Sequence, residues 1–172
     1  MNLILCGYKA SGKTTIAKAF SLNYQYKFID TDDLIIKAYN NNLLIGEIYS
    51  ELGSEKFIEL EKNIISKLNL KENSIIATGG GAFNNSENIK KLKSLGEVIY
   101  LKVPKKTLTK RIKSLKILPR FIDPNKIDDS INQYLSSRDE IYKKASDFVI
   151  DTQDKTISEI IKKIKETRQC YG

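Results

Sequence analysis

Short apolar or β-branched runs alternate along the chain with longer stretches in which apolar positions recur every three or four residues. Runs of the first kind fit strands; stretches of the second fit helices with one apolar face. The pattern predicts strands at about residues 2–6, 26–29, 74–77, 97–102 and 147–150, and helices at about 13–22, 32–40, 53–68, 86–94, 105–115, 127–144 and 155–167. Such alternation belongs to a parallel sheet covered by helices on both faces, so the expected fold class is α/β, a three-layer αβα sandwich on five parallel strands. No repeat, low-complexity tract or linker interrupts the series. At roughly 150 residues per domain, the 172 residues make one domain, 1–172. The stretch Lys116 to Asn125 holds two of the three prolines, Pro119 and Pro124, and reads as a surface loop because proline removes a backbone donor and stops a helix.

Composition narrows the chemistry. Apolar residues make up 41% and no run is long enough to cross a bilayer, which removes a membrane-spanning protein and a membrane partner. The opening Met1 to Gly7 has no basic lead and its apolar run is short, so the expectation is a cytoplasmic protein without a signal peptide. Two cysteines, Cys6 and Cys170, build no disulfide framework, and with no histidine there is neither a Cys/His zinc cluster nor an imidazole base. Acid–base work therefore falls to carboxylates. The net charge of +8 comes from lysines scattered along amphipathic segments such as Ile160 to Lys165, a solvated-face pattern that argues against a nucleic-acid partner.

Four clusters carry candidate chemistry. Gly7-Tyr8-Lys9-Ala10-Ser11-Gly12-Lys13-Thr14 is a complete G-x-x-x-x-G-K-[ST] sequence directly after the first strand and opening a helix. A polyphosphate needs many donors at close range, and such a turn supplies them from backbone N–H groups at a helix N-terminus. Lys13 adds a positive charge for the β and γ phosphates and Thr14 a hydroxyl for Mg2+, which points to ATP or GTP. The second strand ends in Asp30-Thr31-Asp32-Asp33, at the end of an open sheet where ligands bind; these acids can hold a metal or deprotonate an alcohol, or Asp30 or Thr31 can cap the next helix. Gly79-Gly80-Gly81 follows the third strand and fits a close approach of a ligand or another backbone. Arg138 to Tyr142 lies on the long helix before the last strand.

In this order the four clusters resemble the shikimate kinase family of nucleoside-monophosphate-kinase-like P-loop enzymes, from Leu3 to about Thr152. The resemblance implies a P-loop kinase that uses ATP and Mg2+ to phosphorylate the 3-hydroxyl of shikimate, acting as a monomer. It implies that Gly7, Ala10, Ser11, Gly12, Lys13, Thr14 and Thr15 serve the nucleotide, with Arg111 against adenine, and that Thr14 and Asp30 serve the metal. Asp32 would bind the shikimate hydroxyls and act as base, and Gly79, Gly80, Gly81 and Arg138 would hold the rest, with Arg138 on the carboxylate. A helical region at about 32–62 would bind substrate, and a lid at about 115–125 would close over the phosphate with Arg120 reaching it.

Three positions depart from the family pattern. Ile58, within Gly53 to Glu61, stands where an arginine usually pairs with the substrate carboxylate, a loss worth roughly 1.5–3 kcal/mol, with Lys9 or Lys56 as possible replacements. In the lid Leu118-Pro119-Arg120 puts the arginine after the proline instead of before it. Ala10 replaces a common glycine, a change that costs nothing provided its φ is negative. Two other readings stand beside this one: a kinase of the same fold acting on another small hydroxylated metabolite, and a non-catalytic nucleotide-binding protein.

Overall fold

The computed structural model describes residues 2–71, 73–115, 118–119 and 121–169, apart from the side chains of 168 and 169. Five strands, β1 (Leu3–Cys6), β2 (Lys27–Asp30), β3 (Ser74–Ala77), β4 (Glu97–Lys102) and β5 (Phe148–Asp151), form one parallel sheet in the order β2-β3-β1-β4-β5. Among the described residues seven α-helices surround it: α1 (Lys13–Tyr24), α2 (Thr31–Tyr39), α3 (Ile45–Ser66), α4 (Ser86–Leu95), α5 (Lys105–Lys113), α6 (Ile127–Ala145) and α7 (Ile157–Gln169).

The central strands are apolar on both faces because both are covered. Leu3, Leu5, Ile75, Ala77, Ile99 and Leu101 pack against Ile16, Ala17 and Phe20 of α1 and Ile160, Ile161 and Ile164 of α7. The alternate residues Ile4, Cys6, Ile76, Val98 and Tyr100 pack against Ile65 of α3, Leu92 of α4, Leu108 and Ile112 of α5, and Ile131 and Tyr142 of α6. Two layers of helix thus sandwich the sheet, as the alternation predicts. Asn2 closes the amino end of the sheet: its amide donates to the Leu95 carbonyl at 2.9 Å and its side-chain oxygen accepts from the Ser74 N–H at 3.0 Å.

Two elements differ from the sequence expectation. The helix expected from residue 53 begins at Ile45 and breaks at Gly53, whose φ of 72° and ψ of 173° interrupt the helical path. The extra turns form because the Glu47 carboxylate accepts from the Leu44 N–H at 2.7 Å and Ile48 is fully buried, a tertiary gain that outweighs Gly46 and Gly53. The proline-containing stretch is an irregular loop over its described residues, as read, but it is not wholly at the surface: Pro119 and Ile122 are buried, and the Ile122 N–H closes a turn on the Pro119 carbonyl at 2.9 Å.

Between β1 and α1 the chain makes the phosphate-loop turn. Gly12 has φ of 91° and Ala10 has φ of 64°, so the condition of a negative φ at Ala10 is not met. An alanine in the left-handed region sets its Cβ close to the following carbonyl and costs about 1 kcal/mol relative to glycine. Ala10→Gly should therefore stabilise the protein by up to about 1 kcal/mol, read as an increase in urea midpoint at unchanged m-value; an unchanged or lower midpoint would show that the turn carries no such strain.

Candidate active site

The carboxyl ends of β1, β2 and β3 open on one crevice, where an open α/β sheet binds its ligands. Lys13, at the start of α1, is almost fully buried, and its ammonium donates to the Gly7 carbonyl at 2.8 Å and the Tyr8 carbonyl at 2.7 Å, with Ser11 Oγ at 3.4 Å. Burial lowers its pKa to about 8 against the opposing pull of Asp32 and Asp30. Thr14, one residue on, donates its hydroxyl to Asp30 Oδ2 at 2.8 Å. The other carboxylate oxygen of Asp30 accepts from the Asp32 N–H at 2.9 Å and caps α2. The capping reading of Asp30 is realised, and its second carboxylate oxygen faces the phosphate loop through Thr14. Thr15 is exposed on the first turn of α1.

Asp32 projects from the first turn of α2 against the glycine turn. A Cβ at Gly79 would lie 2.5 Å from Asp32 Oδ1 and 3.1 Å from Glu61 Oε1, so any side chain there would force the Asp32 carboxylate to move. The close approach at this turn is made by two carboxylates of the chain itself. Burial raises the Asp32 carboxyl to about 6, helped by Asp30 and opposed by Lys13 and Lys9. Burial likewise raises Glu61 to about 7, with Asp32 adding to the rise and Arg138 opposing it.

The turn is fixed from both sides. The Gly79 N–H donates to Thr31 Oγ1 at 2.7 Å, and the Gly80 carbonyl accepts from Arg138 and, at 2.9 Å, from the Tyr142 hydroxyl. Arg138 also lies 4.6 Å from the centre of the Tyr134 ring, whose other face stacks on Phe121 at 3.8 Å. Tyr134 accepts the Lys9 N–H at 3.1 Å, and Tyr8 donates to the Leu135 carbonyl at 2.6 Å, so α6 holds the phosphate loop as well as the glycine turn. Gly81 has no such close neighbour; a Cβ there would meet Glu61 Oε2 at 3.8 Å.

On the far side of the phosphate loop, Arg111 of α5 donates to the Ala10 carbonyl at 3.2 Å. It lines a cavity of about 360 Å³ with Val103, Pro104, Thr107 and the segment Thr152 to Thr156. Ile58 is half exposed on α3, and Arg120 lies outside the described residues. The crevice thus brings together Lys13, Thr14, Asp30, Asp32, Gly79, Gly80 and Arg138, with Arg111 at its nucleotide-loop edge. Glu61 completes it without having been singled out from sequence, where it reads as one more acid on a polar helix face, and Thr31, read only as a possible cap, instead holds the Gly79 N–H.

Comparison with known proteins points the same way. A family model for shikimate kinase matches residues 9–169. The shikimate kinase of Alkaliphilus oremlandii is 38% identical over 95% of this chain and 96% of its own, and that of Caldanaerobacter subterraneus subsp. tengcongensis is 35% identical over 95% and 93%. Among solved structures, shikimate kinase from Acinetobacter baumannii in complex with shikimate superposes with a TM-score of 0.88 at 25% identity, covering 98% of this chain and 93% of that one.

The acid pair at Gly79, Glu61 buried and Asp32 half-buried, makes stability depend on pH with a definite sign. Asp32 and Glu61 bind protons more tightly folded, at about 6 and 7, than in the unfolded chain at 3.8 and 4.5, so the native state holds more protons between those values. Their contribution is fully present below about pH 4 and is lost as pH rises to about 7. Glu61→Gln should flatten this fall by on the order of 1–3 kcal/mol in urea unfolding between pH 4.5 and 7.5; a wild-type slope retained in the variant would contradict the pairing.

Proposed function

The chain belongs to the shikimate kinase family of ATP-using phosphotransferases with an alcohol acceptor, and from that premise we propose that it transfers the γ-phosphoryl group of ATP to the 3-hydroxyl of shikimate, giving shikimate 3-phosphate for aromatic amino acid (chorismate) synthesis. The observation that carries the assignment of roles is the half-buried Asp32 carboxyl, set against the Gly79 turn within the electrostatic reach of Lys13.

Asp32 is the base. As the hydroxyl oxygen attacks phosphorus, its O–H proton passes to the Asp32 carboxylate and the β–γ bridging oxygen leaves with ADP. With its pKa raised to about 6, Asp32 is a stronger base than an ordinary aspartate yet remains ionised at neutral pH. Lys13 and the N–H groups of Gly7 to Thr15 hold the phosphates, and the arriving polyanion raises the Lys13 pKa again by favouring its charged form. Arg111 and the cavity beside it take the adenine. Gly79, Gly80, Gly81 and Arg138 hold shikimate, with the guanidinium on its carboxylate. The relative from Acinetobacter baumannii, described in complex with shikimate, supports this side of the reading.

Thr14 Oγ1 and Asp30 Oδ2, 2.8 Å apart, are hard oxygen donors suited to Mg2+. Among the described residues no cluster of three or more acidic or sulfur side chains forms a closed cage, so these two would share the ion with phosphate oxygens and water. When bound, Mg2+ neutralises charge on the β and γ phosphates. The family resemblance gives residues at about 32–62 the role of substrate-binding region and those at about 115–125 that of lid, and assigns to Arg120, which lies outside the described residues, a contact with the transferred phosphate.

ADP release measured with ATP, Mg2+ and shikimate tests the proposal. Wild-type turnover should depend on shikimate and decline as pH falls through about 6. Asp32→Asn should lower kcat by about 10²–10⁴, and Lys13→Ala by about 10²–10³. Turnover indifferent to shikimate but stimulated by another alcohol would move the substrate assignment to that compound, as Ile58 in place of an arginine would then explain.

A further inference from the structure

The substrate side of the crevice is short of positive charge. Asp32 and Glu61 both press on Gly79 from within the protein. Lys13 is engaged by the Gly7 and Tyr8 carbonyls on the phosphate side. Arg138 donates to the Gly80 carbonyl, lies over Tyr134 and acts on the Glu61 carboxylate. A carboxylate entering beside two acids would meet a single guanidinium that is already partly committed, and Ile58 offers it nothing charged.

Resting on the functional reading above, we propose that Lys9 supplies the second cation for the substrate carboxylate, on the phosphate-loop side of Gly80 across from Arg138. The two residues flank one peptide: a Cβ on Gly80 would lie 3.5 Å from the Lys9 backbone nitrogen and 3.8 Å from its Cβ, while the Gly80 carbonyl holds Arg138. The Lys9 backbone is fixed by its N–H on Tyr134 Oη at 3.1 Å, and the same Tyr134 ring supports Arg138, so the two cations share a mount. The Lys9 side chain is exposed, and among the described residues no hydrogen bond or ion pair holds its ammonium. Its charge nevertheless reaches into the crevice, where it acts on both Asp32 and Lys13. A flexible stem with a free ammonium at this position can follow a ligand carboxylate without distorting the loop that carries it.

Calorimetric binding of shikimate and of its methyl ester, each in the presence of ADP, tests the assignment in the wild type, Lys9→Met and Lys9→Arg. Methionine keeps the apolar stem and removes the charge at an exposed position. Lys9→Met should weaken shikimate binding about tenfold, bind the uncharged ester within about twofold of wild type, and leave ADP affinity unchanged; Lys9→Arg should recover most of the loss. Equal losses for acid and ester, no loss for either, or a loss confined to ADP would each overturn the assignment. A wild-type chain that neither binds shikimate nor turns over with it would overturn the functional reading as well, whereas normal wild-type binding with an unaffected Lys9→Met would overturn the Lys9 assignment alone.

Discussion

Gly79 has two carboxylates where its side chain would be, and most of the crevice is arranged around that fact. Asp32 reaches it from α2 and Glu61 from α3, while Thr31 takes its N–H and α6 grips the next carbonyl through Arg138 and Tyr142. Elements far apart in sequence are therefore held to one peptide turn by short polar contacts, each buried or half buried. A methyl group there would displace the Asp32 carboxylate and crowd that of Glu61, so overpacking and loss of the Asp32 position would arrive together.

Keeping two acids out of water is unfavourable for their charged forms, and the protein answers this electrostatically without neutralising either of them outright. Lys13 and Lys9 oppose the rise at Asp32, and Arg138 opposes it at Glu61, yet burial prevails in both cases. The result is a pair of carboxyls that titrate near neutrality and are unequal in role: Asp32 borders the phosphate loop, whereas Glu61 borders Arg138. In the absence of any histidine, the proposed mechanism draws its base of intermediate strength from this pair.

The sheet and most helices were legible because their signal is local. The β1 and β3 runs are apolar on consecutive positions, as central parallel strands require, and the lysines of α7 lie on its exposed face with Ile160, Ile161 and Ile164 inward. The phosphate loop and Asp30 were legible because their chemistry depends on spacing and on a strand end. The start of α3 was not: Asn40, Asn41, Asn42, Gly46 and Gly53 punctuate it like a loop, and only the burial of Ile48 and the Glu47 cap make it helical. Glu61 was hidden for a related reason. On α3 it lies between Leu60 and Lys62, two residues after Glu59, and nothing within the helix distinguishes an acid that faces Gly79 from one that faces solvent.

The aromatic residues explain how the glycine turn, the phosphate loop and the proline-containing stretch keep their mutual positions. A tyrosine ring has two faces; with Phe121 stacked at 3.8 Å on one, the Arg138 guanidinium at 4.6 Å must occupy the other. The edge of the same residue accepts the Lys9 N–H. Tyr134 therefore touches the stretch after Pro119, the phosphate loop and the arginine on Gly80 simultaneously, and Tyr8 packs edge-on against it at 5.6 Å to close the cluster. A displacement of Phe121 would open one face of the ring to water and weaken its hold on Arg138, so the position of the proline-containing stretch and the orientation of the arginine are set by the same contacts. The coupling needs no long pathway, since one side chain makes all three contacts.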